Sequence, residues 1–301
     1  MTDYYRRSLS VFSQLDGDNS GNPAVRDELA RAYETLGDGL SRTDARAERL
    51  DSYKKALEIR QQLLAGKPDD RKLRRSIATS FYKVGAADPT APDAIANVRK
   101  AIEILEALSA ADPNSARARR EVGFVYYQLG QVEMERRDFA GALETRRKAF
   151  AIRKQIAEQD PTNMQAKFDL AVDHANLSET LTAVGQTDEA LREAEAALPL
   201  LEQLCASDPT NAVYQRNLAL CYQKFAEADA RGASAAADRD GQLNHWHEAH
   251  NWYDKAAKLF ADLRASGRLM PSDAAQPEAF ASKAADCDRR IADLTQSTSA
   301  P

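Results

Sequence analysis

The sequence predicts an all-α protein assembled from tandem helix–turn–helix units, on three observations. Ala accounts for 55 of the 301 residues, whereas Gly and Pro number only 13 and 11. A chain rich in the best helix former and poor in turn formers favours helix. Apolar positions recur at i, i+3 or i+4, and i+7, which is the spacing of one helix face. Finally, two distinct runs return at a common step of about 48 residues, and a fixed period of that size marks a repeat architecture.

The first run places an apolar residue, an aromatic one, a second apolar one and a small one on a single helix face. It reads Leu29-Tyr33-Leu36-Gly37, Ile77-Phe81-Val84-Gly85 and Val122-Tyr126-Leu129-Gly130, then weakens to Leu170-His174-Leu177-Ser178 and Leu218-Tyr222-Phe225-Ala226. The second run is built on a small residue inside a long apolar stretch: Ser8, Ala56, Ala101, Ala149, Ala197 and Ala256. Both sets share steps of 48, 45, 48 and 48 residues. The first run is helix A of each unit and the second is helix B.

The predicted elements follow in order. Residues 3–22 form a lone helix B. Five A–B repeats occupy 23–67, 68–112, 113–160, 161–208 and 209–268, and a capping helix covers 273–296. Between units stand Asn22-Pro23, Lys67-Pro68, Asp112-Pro113-Asn114, Asp160-Pro161-Thr162-Asn163 and Asp208-Pro209-Thr210-Asn211. The residue before Pro is driven out of the α region, so a helix stops there; Asn or Asp can then cap the next one. Pro89 and Pro92 should end their helix A early, and Pro199 should kink the fourth helix B. The insertion ADARGASAAADRDGQLN, residues 228–244, reads as a surface loop. The final QSTSAP reads as frayed.

This pattern resembles the tetratricopeptide repeats. In Leu129-Gly130, Ala142 and Ala149, as in Leu177-Ser178, Ala190 and Ala197, the small residue is followed by Ala at the family's spacing. The inter-helix stretches RRDFAGAL and GQTDEAL are similar to the family's turn. The resemblance implies a right-handed α-solenoid of about twelve helices, all in one domain, with helix B outside and helix A lining a concave groove. The 48-residue step is longer than the family's ~34, so each helix is extended. A weaker resemblance is to the C-terminal repeat regions of bacterial serine/threonine kinases. No Gly-rich phosphate loop, HRD or DFG occurs in this sequence, so the implied role is regulatory. The opening on a lone helix B reads as the remnant of a longer chain; the alternatives are an N-terminal cap, or an unpaired edge for self-association in a purely architectural module.

The function classes narrow accordingly. With 41 basic and 46 acidic residues and a net charge of −5, no global field favours nucleic acid. No run approaches the ~18 apolar residues of a membrane span, and the N-terminus lacks a signal peptide, so a soluble cytoplasmic protein is expected. No nucleophile stands beside a His and a carboxylate, which predicts no enzyme activity and no cofactor. His245, His247 and His250 in HWHEAH could share a metal but read better as a polar helix start. His174 reads as core, and Cys205 and Cys221 as buried thiols replacing apolar residues. The acid pairs Asp69-Asp70 and Glu133/Glu135 read as helix starts and solvated faces. The basic clusters Lys54-Lys55, Arg99-Lys100 and Arg146-Arg147-Lys148 read as a solvated outer face.

The predicted partner-binding residues lie on helix A, three before, two before and one after its small position. They are Tyr82, Lys83, Tyr127, Gln128, Gln131, Asn176, Glu179, Gln223 and Lys224. Central aromatic anchors flanked by amides suit a protein or peptide segment. The corresponding first-repeat residues Glu34, Thr35 and Asp38 are acidic, which argues against the basic clamp for a terminal carboxylate found in some members of the family.

Overall fold

A computed structural model describes residues 2–18, 21–41 and 45–296. These residues form twelve α-helices and one three-residue 3-10 turn (Pro271–Asp273), with no strand among them. The helices are α1 (Thr2–Asp18), α2 (Pro23–Leu40), α3 (Arg46–Gly66), α4 (Arg71–Ala87), α5 (Ala94–Ala110), α6 (Ala116–Glu135), α7 (Phe139–Gln159), α8 (Met164–Ala183), α9 (Thr187–Ser207), α10 (Ala212–Ala235), α11 (Arg239–Ala265) and α12 (Gln276–Gln296). The chain divides within α7 into two compact units, residues 1–156 and 157–301. In the first unit each of α1 to α5 packs on its successor, and helix A of one repeat, α4, also meets helix A of the next, α6. In the second unit α8 to α12 pack in sequence, and α8 also meets α10.

The inter-repeat turns start the A helices as the sequence implies. Asn22 accepts from the Ala24 amide at 3.0 Å, Asp70 from Leu73 at 3.0 Å and Asn163 from Ala166 at 3.0 Å. Asn211 caps α10 through Val213 and Tyr214, and Ser115, rather than Asn114, caps α6. These side chains satisfy amides that the first helical turn leaves without a partner. In Asp-Pro-Thr-Asn the Asp has a separate role. Asp160 and Asp208 each accept from the hydroxyl of the Thr two residues on, at 2.7 and 2.8 Å. The four-residue punctuator thus closes a turn with its first residue and caps a helix with its last.

Two of the A-to-B turns, α6–α7 and α8–α9, use left-handed backbone. Gly185 has φ +81° and is followed by a hydrogen bond from the Gln186 amide to the Leu181 carbonyl at 2.8 Å. One repeat earlier the same place is held by Arg137, at φ 61°, with Asp138 bonding back to the Glu133 carbonyl at 2.9 Å. Both are Schellman closures, which glycine accommodates without strain.

Each pair then closes on a small-residue contact. A Cβ at Gly85 would lie 2.5 Å from the Ala94 carbonyl oxygen and 2.6 Å from Val98 Cγ2. The second-run residues Ala56, Ala101, Ala149, Ala197 and Ala256 are all buried where B helices approach their neighbours. Val98, Leu105, Val125 and Leu129 fill the first unit's core. Leu201, Leu204 and Cys221, and separately Phe260 and Phe280, fill that of the second.

Several expectations change. Residues 228–244 are not a loop: α10 runs to Ala235 and α11 starts at Arg239, leaving three connecting residues. Ala and Arg outweigh the ~1 kcal/mol that each of two helical glycines, Gly232 and Gly241, costs, and the two extensions hold each other through His245 Nδ1 and Asp229, 3.0 Å apart. α4 does end at Ala87, before Pro89. α9 continues through Pro199, whose missing donor affects the carbonyl of solvent-exposed Glu195. Arg146 and Glu133 are buried, not solvated. Arg146 stands three residues before Ala149, where the B helices of the other repeats carry Tyr53, Val98, Ala194 and Tyr253, so helical register overrides residue type. The Glu133 carboxyl is pushed up by burial. Of the frayed-end expectation, Gln296 closes α12 and residues 297–301 lie outside the described residues.

Two substitutions probe these contacts by urea denaturation. Gly85→Ala should destabilise the protein by about 1–3 kcal/mol, because the new methyl meets a backbone carbonyl that cannot rotate aside; a neutral result would remove the small-slot account. Arg137→Gly should stabilise it by about 0.5–1 kcal/mol through relief of the left-handed conformation.

Candidate partner-binding face

The A helices of the first unit present one continuous stripe. Its members in α2 are Arg31, Glu34, Thr35 and Asp38; in α4 they are Thr79, Tyr82 and Lys83; in α6 they are Phe124, Tyr127, Gln128 and Gln131. The stripe has a charged end and an aromatic end, with α4 contributing to both.

At the charged end, Lys83 Nζ donates to Glu34 Oε1 at 2.6 Å and to both Asp38 oxygens at 2.8 Å. Tyr53 on α3 donates its hydroxyl to Asp38 at 2.8 Å. Arg60, only 4% exposed, reaches from α3 to Glu34 at 2.5 Å, to the Ser80 hydroxyl at 2.5 Å and to the Ser76 carbonyl. Around this network lies an open cavity of about 310 Å³ lined by Arg31, Glu34, Thr35, Asp38, Arg60, Ser76 and Thr79. Burial alone would raise the Glu34 carboxyl, but the Arg60 and Lys83 cations outweigh it and hold the group below the ordinary carboxylate range. Burial likewise opposes the Lys83 charge, and Glu34 and Asp38 overcome it, so its ammonium is pushed up. The acidic first repeat is therefore neutralised from within the fold, and the ammonium of Lys83 is already engaged by two carboxylates.

At the aromatic end, Tyr82 meets Phe124 edge-on with ring centroids 5.4 Å apart, and Phe124 lies 6.4 Å from Tyr127. Phe124 is 37% exposed, one of few large apolar side chains so placed among the described residues. Behind the row, the Arg153 guanidinium lies 5.3 Å from the Tyr127 ring centroid, within cation–π range. Gln131 donates to the Tyr127 hydroxyl at 3.2 Å and accepts from Arg146. Burial raises the Tyr82 phenol. An exposed ring held by two tyrosines is a firm apolar ledge, since its neighbours restrict its rotamers.

The structure thus brings Tyr82, Lys83, Tyr127, Gln128 and Gln131 onto one face of the first unit. Asn176 and Glu179 on α8, and Gln223 and Lys224 on α10, belong to the second unit. There Gln223 donates to Glu227 at 2.7 Å, and Lys283 approaches the same carboxylate at 3.6 Å. Sequence reasoning missed Phe124, Arg60 and Arg153. Phe124 sits six residues before Gly130, one further turn back along the same helix face, and that spacing could have found it. Arg60 and Arg153 stand four residues after Ala56 and Ala149 on helix B, an interior slot that leads toward the A helices.

The remaining candidates resolve into structural contacts. His245 faces Asp229 on α10, His250 faces Asp288 on α12 at 3.0 Å, and His247 is exposed. The histidines therefore point to separate neighbours, and no group of His, Cys, Asp and Glu poised to hold a metal occurs among the described residues. His174 is mostly buried but places Nδ1 2.7 Å from Glu193, so its slot is polar rather than purely core. Cys205, half-buried, and Cys221, buried, are free thiols, pushed up by burial to about 11 and about 12. Asp70 is a helix cap, as expected. Among the described residues no helix is long and apolar enough to cross a membrane.

The class these features define is an all-helical, tetratricopeptide-like repeat protein of the α-solenoid type. The chain is similar in structure to BtubC (BKLC) from P. vanneervenii, with TM-score 0.54 and 16% identity over 87% of this chain and 91% of that one. It is also similar to the apo form of RapI, with TM-score 0.51 and 12% identity over 96% and 81% of the respective chains. TTC0263, a thermophilic TPR protein in Thermus thermophilus, aligns with TM-score 0.40 and 19% identity over 84% of this chain and 98% of that one. No family model and no curated protein matches the sequence. At these identities the likeness is one of fold.

The charged end yields a pH-dependent prediction. Glu34, with its pKa lowered, contributes stability that is complete above its ordinary 4.5 and is lost as pH falls through the folded value. Lys83, with its pKa raised, contributes stability that is complete below its ordinary 10.5 and is lost as pH rises through the folded value. Lys83→Met should therefore cost about 1–2 kcal/mol near neutrality, and urea titrations should show the deficit shrinking toward low pH. A deficit independent of pH would contradict the network.

Proposed function

We propose that the chain is a non-catalytic protein-interaction scaffold that takes a peptide or partner segment along its A-helix groove. The single observation that carries this reading is Phe124, exposed between Tyr82 and Tyr127 on a face otherwise lined by polar groups. A rigid aromatic anchor with amide neighbours, here Gln128 and Gln131, is the composition of an interaction hot spot. Lys83 shapes the groove through Glu34 and Asp38. Asn176, Glu179, Gln223 and Lys224 offer the second unit's own polar set. The partner is a protein, not nucleic acid or membrane: the net charge of −5 supplies no basic field for a phosphate backbone or an acidic lipid surface. The cytoplasm suits the three free cysteines, Cys205, Cys221 and Cys287, because thiols persist in a reducing compartment.

A random peptide-display selection against the intact protein tests this reading. Phe124→Ala should weaken the selected peptides by about tenfold or more, with unchanged helicity, while Arg147→Ala on helix B leaves them unaffected. Selected peptides indifferent to Phe124, or no selected peptide at all, would remove the groove proposal.

A further inference from the structure

The cavity of about 310 Å³ at the charged end of the stripe is walled by α2 and α4, with Arg60 of α3 also lining it. Three hydroxyl side chains face it, and each has given its proton to its own helix. Thr35 donates to the Arg31 carbonyl at 2.8 Å, Ser76 to the Lys72 carbonyl at 3.2 Å and Thr79 to the Arg75 carbonyl at 3.3 Å. A hydroxyl has one proton and two lone pairs, so toward a ligand all three can only accept. Asp38 adds a carboxylate whose side chain is 52% exposed. It accepts from Tyr53 and Lys83 on Oδ1 but only from Lys83 on Oδ2, which leaves Oδ2 a lone pair to offer.

The cations bordering the cavity are already engaged. Lys83 is held by Glu34 and Asp38, and Arg60 by Glu34, the Ser80 hydroxyl and the Ser76 carbonyl. The Arg60 Nε–H is sealed from solvent and so from a ligand in the cavity. Arg31 is bound by two carboxylates, Asp27 at 2.7 Å and Glu28 at 3.0 Å. Lys83 and Arg60 thus balance Glu34 and Asp38, while the second acid on Arg31 leaves one negative charge over. We propose that this cavity receives a cationic side chain of the partner segment, a lysine ammonium or an arginine guanidinium. Both groups consist of donors alone, which matches walls that offer lone pairs and a half-exposed carboxylate. An acidic side chain would bring acceptors to acceptors against a negative field.

The cation pocket rests on the reading of this face as a groove for a partner segment, and it narrows that partner's chemistry. The cavity lies where α2 meets α4, and the Phe124 ring where α6 meets α4. Packed helices stand about 8–10 Å apart, a span that an extended chain covers in about three residues. The partner therefore carries a basic residue about three positions from the apolar residue that lies on Phe124. The apolar contact supplies affinity, and the pocket fixes the register of the segment along the groove.

Short peptide libraries with a fixed Leu, and with Arg, Lys, Ala or Glu fixed about three positions to either side of it, test the pocket by fluorescence polarisation against the intact protein. In one of the two orientations the Arg and Lys libraries should bind about tenfold tighter than the Ala library, and the Glu library weaker still. Thr35→Val combined with Thr79→Val removes two acceptors and keeps the branched shape. It should bring Arg and Lys down to the Ala level with circular dichroism unchanged, whereas Phe124→Ala should weaken every library alike. Libraries that depend on Phe124 but rank the four residues equally overturn the pocket and leave the groove reading standing. A basic preference that survives the double variant overturns the pocket as well. If no library depends on Phe124, the groove reading falls, and N-acetylarginine amide decides the pocket by itself. The amide resonances of Thr35, Asp38 and Thr79 should then shift saturably with it and not with N-acetylglutamine amide. Resonances that ignore both probes, or follow both equally, overturn the pocket.

Discussion

Each repeat of the first unit depends on one contact, in which the residue three before the buried Ala of helix B rests on the small residue of helix A. Tyr53 does this over Gly37, Val98 over Gly85 and Arg146 over Gly130. Because there is no Cβ at the small residue, two helix backbones can approach closely, and that approach buries the flanking Leu, Ile and Val stripes. Capping and left-handed turns deliver the helices to this contact but do not replace it. In an array where each unit touches only its neighbours, stability is built from such local interfaces, so the repetition of the slot in sequence is the repetition of the interface in space.

The same contact shapes the candidate site. When an interior B-helix position, three residues before the buried Ala or four after it, holds Arg in place of an apolar residue, the side chain is carried inward and must find partners. Arg60 finds Glu34 and Ser80, Arg146 finds Gln131, and Arg153 lies against Tyr127. These buried cations fix the groove residues from behind. A buried arginine paired on good geometry specifies an arrangement more than it stabilises one, and the outcome is a groove whose polar members are held in place. Phe124 then projects from an ordered surface.

Charge arithmetic on the sequence misleads at this level. The acidic character of Glu34 and Asp38 disappears once Lys83 from the next repeat reaches them across 49 and 45 residues of chain. The basic run Arg146-Arg147-Lys148 splits, with Arg146 buried while Arg147 and Lys148 stay exposed. Glu133 and Glu135, two residues apart, part in the same way. Adjacent residues on a helix point about 100° apart, so a cluster in sequence is rarely a cluster on a surface.

The sequence by itself determined the all-α class, the helix count, the repeat step, the caps at Asn22, Asp70, Asn163 and Asn211, and the early end of α4. These follow from local rules: period, the restriction before proline, and the side-chain acceptors that helix starts require. It also placed Tyr82, Tyr127, Gln128 and Gln131 on one face, because register along a helix is legible from spacing alone. Only the tertiary structure decided that residues 228–244 extend two helices, where packing of Asp229 against His245 outweighs two glycines. It likewise decided that Arg60 and Arg153 reach the groove from the other helix layer, that Lys83 neutralises the first repeat, and that Phe124 is the exposed ring. Spacing along α6 and the helix B slot put Phe124, Arg60 and Arg153 on the right faces, but which side chain of a distant helix arrives opposite them is encoded in no local pattern.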